Sequence, residues 1–169
     1  MASLRLDDAL GNSIPNDQDL HGDLQTASQS LELLRRRWEG ADCKMRRPVI
    51  YRYNCHGLTF ASRRTWIDDL SFISKIIAND GYQQIDIRIV GPGDIIAYID
   101  NRGRIDHSGI VISEPELQTP WVLSKWAWAG EFVHRANICP YAENHKILYY
   151  RLMNQTVKKD ENRPSIIVP

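Results

Sequence analysis

Cys55 and His107 are the residues whose types and settings could do covalent chemistry in this chain. Cys55 stands in Asn54-Cys55-His56-Gly57, after the β-branched and aromatic run Pro48 to Tyr53 and before the helix-like run Leu58 to Ile67. Strand composition gives way there to helix composition, so Asn54 reads as an N-cap and Cys55 as a first-turn residue. Free backbone N–H groups and the positive end of a helix dipole favour a thiolate at that position. A thiolate with a base in reach attacks acyl carbonyls.

The chain offers five histidines for that base: His21, His56, His107, His134 and His145. His21 lies in a polar N-terminal stretch. His56 adjoins Cys55, and neighbouring helical side chains do not face each other. His107 sits near the start of a strand-like run, Ile105 to Ile112, with Gly109 on the same face two residues on. A glycine there predicts close approach of another backbone, here the start of the Cys55 helix.

These residues need elements to hold them. Residues 1–24 are rich in Asp, Asn, Ser and Gly and read as a loosely ordered arm. Leu31, Leu34 and Trp38 predict a helix over 25–39. Arg35-Arg36-Arg37 lies between Glu32 and Glu39 and reads as a solvated helix face. The Cys55 helix is expected to reach about Ile67, and a third helix to span about Asp68 to Asn79, stopped by Gly81. Strands follow at Tyr82 to Val90, Ile95 to Ile99, Ile105 to Ile112, Trp121 to Trp126, Glu131 to His134 and His145 to Leu152, with turns at Gly91-Pro92-Gly93-Asp94 and Asp100 to Gly103. Helices precede an antiparallel meander, which predicts an α+β domain over 25–156, its helices on one face of the sheet. Residues 157–169 read as a charged tail.

Composition narrows the function classes. The 169 residues suit one domain, and 21 basic residues balance 21 acidic ones. A net charge of zero gives no basis for nucleic-acid binding through a broad field. The three cysteines, Cys43, Cys55 and Cys139, form no CxxC pair, so neither a structural zinc site nor a secreted disulfide framework is expected, and no cofactor is implied. A metal site from Cys55, His107 and His134 would match no local zinc spacing. No run approaches the roughly 18 apolar residues of a membrane span. The first residues lack a signal-peptide pattern, so the expected location as synthesised is cytoplasmic, with signal-independent export compatible with it.

The ordered set Asn54-Cys55-His56-Gly57, Gly91-Pro92-Gly93-Asp94-Ile95-Ile96 and Asp106-His107-Ser108-Gly109-Ile110-Val111 resembles the papain-like peptidase superfamily, within it the NlpC-like and CHAP amidases. The resemblance covers roughly residues 48–152. It implies a papain-like core, an acyl-enzyme on Cys55, and His107 as general base and then acid. It also implies a third residue that orients His107. His134, on the next strand but one, is the favoured candidate, with Ser124 the alternative and Glu131 a further one. Here His56 follows the cysteine where the family commonly has Ser or Thr, and Ser108 follows His107 where it has Val or Ala. The implied reaction is amide hydrolysis, with a peptide or peptidoglycan-like substrate. An acyltransferase using the same thiol and a non-catalytic binding module are the alternatives. Asn54, Lys125 and Trp126 are the substrate-contact candidates. Asn54 also reads as a plain helix cap and Lys125 as an exposed lysine. Cys43 and Cys139 read as buried thiols.

Overall fold

A computed structural model describes residues 3–18, 23–114 and 119–153. His21 and the predicted 157–169 tail lie outside them. The chain forms α1 (Leu24–Trp38), β1 (Cys43–Arg47), α2 (Cys55–Phe60), α3 (Leu70–Asn79), β2 (Tyr82–Ile85), β3 (Ile95–Ile99), β4 (Ile105–Val111), β5 (Trp121–Trp126), β6 (Gly130–Arg135) and β7 (Lys146–Leu152). The strands make one seven-stranded antiparallel sheet in the order β1-β6-β5-β4-β3-β7-β2. The fold is α+β, with few helices. No helix among the described residues is long and apolar enough to cross a membrane.

Register assigns the side chains to faces. Tyr98 pairs with His107, Gly109 with Ser124, Ser124 with Phe132, and His134 with both Val122 and Cys43. Paired residues share a face, and this one carries the larger core, where Tyr98, Val111, Trp126, Phe132 and Tyr149 meet Leu31, Leu34 and Trp38 of α1. On the other face, Ala97 and Ile105 pack with Ile73 and Ile76 of α3, while Leu123 packs with Leu58 of α2. The helices therefore cover both faces, not one. The hydrophobic repeats of α1 and α3 set which side of each helix is buried; they carry no information about which side of the sheet it meets.

Several boundaries moved for local reasons. Asp23, Asn54 and Asp69 cap their helices through side-chain oxygens, as their residue types favour. The α2 helix ends at Phe60 because Ser62 and Arg63 turn left-handed, with φ 50° and 65°. Gly81 stops the third helix with φ 83°. The stretch predicted as one strand from Tyr82 to Val90 is β2 followed by a 3-10 turn at Ile87–Ile89. The N-terminal arm docks over much of its length. Ile14 is in the core, and the Asp8 carboxylate takes hydrogen bonds from Asn12 and Asn79.

Candidate active site

Asn54 builds the start of α2. Its Oδ1 accepts from the N–H of Gly57 at 2.8 Å and of Ile67 at 3.3 Å, and its Nδ2 donates to the Ile67 carbonyl and to Asp68. All four bonds serve the cap and its neighbouring loop, so Asn54 has no spare group for a substrate. Gly57 lets that loop come close: a Cβ there would lie 1.8 Å from the Thr65 carbonyl oxygen.

Cys55 is the first residue of α2 and is 9% exposed. The backbone N–H groups of Ser108, His56 and Cys55 itself act on its thiol. These favour the thiolate, but burial outweighs them and pushes the thiol up to about 12. The contact with Ser108 forms where the sheet parts, since β4 pairs with β5 only over Gly109, Ile110 and Val111. The Cys55 helix is tied to that point by its neighbours: His56 Nδ1 lies 2.9 Å from Ser108 Oγ, and Ser108 Oγ donates to Thr59 Oγ1 at 3.0 Å. His56, expected to point away from the thiol chemistry, is a buried brace between helix and strand.

His107 is fully buried and projects to the α1 face, opposite Ser108. Gly109 does not make room for α2, as the spacing suggested. A Cβ there would meet Val122 and Ser124 side chains and the Leu123 carbonyl at 2.8–3.0 Å, so the close approach is that of β5. The Tyr141 ring stacks on His107 with centroids 3.8 Å apart and 7° between planes. The same Tyr141 is within electrostatic reach of the Cys55 thiol. Neither ring nitrogen of His107 has a hydrogen-bond partner among the described residues. Burial, with help from His56, His134 and His145, holds this imidazole well below the usual histidine range. The thiol and the imidazole thus both rest neutral, and no hydrogen bond joins them among the described residues.

The residues proposed to orient His107 meet each other instead. His134 Nδ1 lies 2.8 Å from the Arg135 carbonyl oxygen, which can only accept, so this nitrogen carries the hydrogen. His134 Nε2 then accepts from Ser124 Oγ at 2.8 Å, and Ser124 Oγ accepts from Trp126 Nε1 at 2.9 Å. Every valence in this chain is used, and none reaches His107. Trp126 is 1% exposed, stacked on Phe132 and edge-on to Trp38, so it lines no groove.

Lys125 is also fully buried, against the expectation of an exposed side chain. It lies on the α2 face opposite Glu131, donates to the Ala127 carbonyl at 2.6 Å, and stands 5.7 Å from the centre of the Tyr53 ring. Burial brings it down to about 8, opposed by the charges of Cys55 and Glu131. Glu131 is a hub the sequence did not reveal. It accepts from Tyr53 Oη at 2.5 Å, Arg63 Nε at 2.6 Å and Arg46 at 2.7 Å. Its partners lie 68 to 85 residues away, beyond any local pattern. Asp94 of the Pro-Gly-Asp turn is likewise structural, pairing with Arg151 at 2.7 and 2.8 Å and accepting from the Gly91 N–H.

Among the described residues no group of three or more His, Cys, Asp and Glu side chains is placed to hold a metal ion, so Cys55, His107 and His134 do not form a metal site. No protein-family model, curated protein or solved structure matches this chain.

Proposed function

We propose that the protein is a cysteine hydrolase of papain-like type that cleaves an amide bond through an acyl-enzyme on Cys55. The observation that supports this reading is a helix-start thiol, favoured as thiolate by backbone N–H groups, in a fold that also holds a buried histidine whose two nitrogens are unpartnered among the described residues, with Tyr141 stacked on that histidine and within electrostatic reach of the thiol. Leaving a buried polar group unbonded costs on the order of 1–3 kcal/mol, and such a cost is tolerated where the group has work to do.

In this reading His107 takes the thiol proton as Cys55 attacks the substrate carbonyl, because both groups rest neutral and no ion pair is preformed. The backbone N–H of Cys55 lies beside the developing oxyanion. The imidazolium then gives its proton to the leaving amine, and water reverses the sequence to free the acid. His107 projects to the α1 face and α2 packs on the other, so the thiol and the imidazole must move to meet. Peptidoglycan-type peptides are the substrate class that the family resemblance suggests. An acyltransferase would share every step before the arrival of water.

A second reading, a binding module that keeps the fold without turnover, draws on the burial of the thiol and the Tyr141 cover. Iodoacetamide labelling of the folded protein tests the proposal. Cys55 is expected to label at least tenfold faster than Cys43 and Cys139, both fully buried. Equal rates at the three thiols would remove the hydrolase reading.

A further inference from the structure

We propose that a cleft beside α2 is a binding site for an anionic group, either a phosphate or a carboxylate. The cleft has a volume of about 460 Å³ and is lined by Arg47, Ile50, Tyr51, Arg52, Tyr53 and Arg63. Arg46 stands at its back, on the same buried carboxylate as Arg63.

The charge balance is uneven. The whole chain is neutral, yet Arg46, Arg47 and Arg63 gather around the single carboxylate of Glu131 and Arg52 lines the same cleft. That carboxylate is already filled. Oε1 takes Tyr53 and Arg63, and Oε2 takes Arg46, leaving Arg47 at 3.8 Å. Arg52 has no acidic partner among the described residues and is exposed. Each guanidinium has five N–H donors in a planar fork, and only one edge of Arg63 or Arg46 is spent on Glu131. The unused edges suit an oxyanion that accepts several bonds at once.

The cleft is also rigid. A Cβ on Gly130 would lie 2.4 Å from the Arg47 carbonyl oxygen, so β6 holds the end of β1 by direct backbone contact. Pro48 has its own φ fixed by its ring and restricts Arg47 before it. The Trp66 indole N–H donates to the Tyr51 carbonyl. Arg63 occupies left-handed space at φ 65°, next to Ser62 at 50°, a pair of unfavourable conformations that the bond to Glu131 helps retain. The Tyr51 hydroxyl, kept protonated by burial and by Asp23, is a buried donor with no partner among the described residues. Tyr51, which lines the cleft with Tyr53, packs on Trp128, which in turn packs on Trp66, with centroids 5.4 and 4.5 Å apart, so the aromatic wall is braced from behind.

The site does not depend on Cys55 chemistry. If the hydrolase reading holds, the cleft binds an anionic group of the substrate, since Tyr53 lies two residues before the thiol. The test is a titration of the full-length protein with inorganic phosphate and with citrate, at constant ionic strength, read by Trp66 and Trp128 fluorescence and by calorimetry. Saturable one-to-one binding of at least one anion is expected, weakened tenfold or more in Arg52→Gln and in Arg47→Gln. Arg52→Gln breaks no contact among the described residues, so its fold is not at risk. The tighter of the two anions identifies the group. Cys55→Ala is expected to bind like the parent, which separates this outcome from that of the hydrolase test. No saturation by about 10 mM of either anion, a regime weaker than about 4 kcal/mol of binding, would overturn the proposal. Equal binding by parent and Arg52→Gln would do the same.

Discussion

His134 and His107 lie on the same face of one sheet, both fully buried, and they teach opposite lessons. His134 has each nitrogen bonded, its tautomer fixed by the Arg135 carbonyl and its far side held by Ser124. His107 has neither nitrogen bonded among the described residues and is covered by a stacked tyrosine. The first is a histidine used as a rigid peg. The second is held in place by packing alone, which leaves its nitrogens available. Burial by itself does not tell these two histidines apart; the state of their ring nitrogens does.

The largest effect that could break this contrast is on turnover. His107→Asn is expected to lower hydrolysis of a cell-wall stem peptide by about 100-fold or more, the usual weight of a general base, while the urea midpoint stays level or rises. A variant that unfolds more easily and hydrolyses normally would place His107 with His134. Next in size, His134→Ala should cost about 3 kcal/mol in urea unfolding, because it opens a void and strips partners from Ser124 and the Arg135 carbonyl. Its effect on Cys55 labelling in the folded protein should be small.

A third effect is on acid stability. His56 and His134 fall to about 4 in the fold, below the ordinary histidine value of 6.5. Between these values the unfolded chain binds protons that the native state does not. Stability is therefore full above about pH 6.5 and is lost as the pH falls towards 4, by on the order of several kcal/mol in all. Thermal melts from pH 7 to 4.5 should show a steady drop, shallower in a His134→Gln variant. A flat profile would mean that these rings reach water. The smallest effect concerns Lys125. Lys125→Met removes a buried positive charge that acts on Cys55, so the pH profile of Cys55 labelling should move up by less than about one unit. An unchanged profile would show that the lysine is already neutral where the thiol titrates.

The central strands were legible because their composition is apolar and their turns carry Gly103 and Pro92-Gly93. The helix start at Asn54-Cys55 was legible through capping chemistry alone. β1 was not: Cys-Lys-Met-Arg-Arg has no apolar alternation, since an edge strand can carry charge that keeps its open side from pairing. The β-branched run Pro48 to Tyr53, which reads as strand or extended chain, joins no strand of the sheet, and its residues Ile50 to Tyr53 form one wall of the arginine cleft. Lys125 was misjudged because alternation gives the phase of a strand but not the depth of cover over each face. The orienting role expected of His134 rested on strand order, and order does not reveal that its nitrogens are already spent.

Gly57 carries one more consequence. A helix of six residues is too short to persist in water by itself, and its glycine leaves it stable only when the Thr65 loop has closed against it. The special surroundings of the Cys55 thiol thus exist only when distant pieces of chain lock together. A newly made or unravelled chain carries three ordinary thiols, and the fold shields this one and raises it. Loss of that shielding would report the release of the Thr65 loop from the helix.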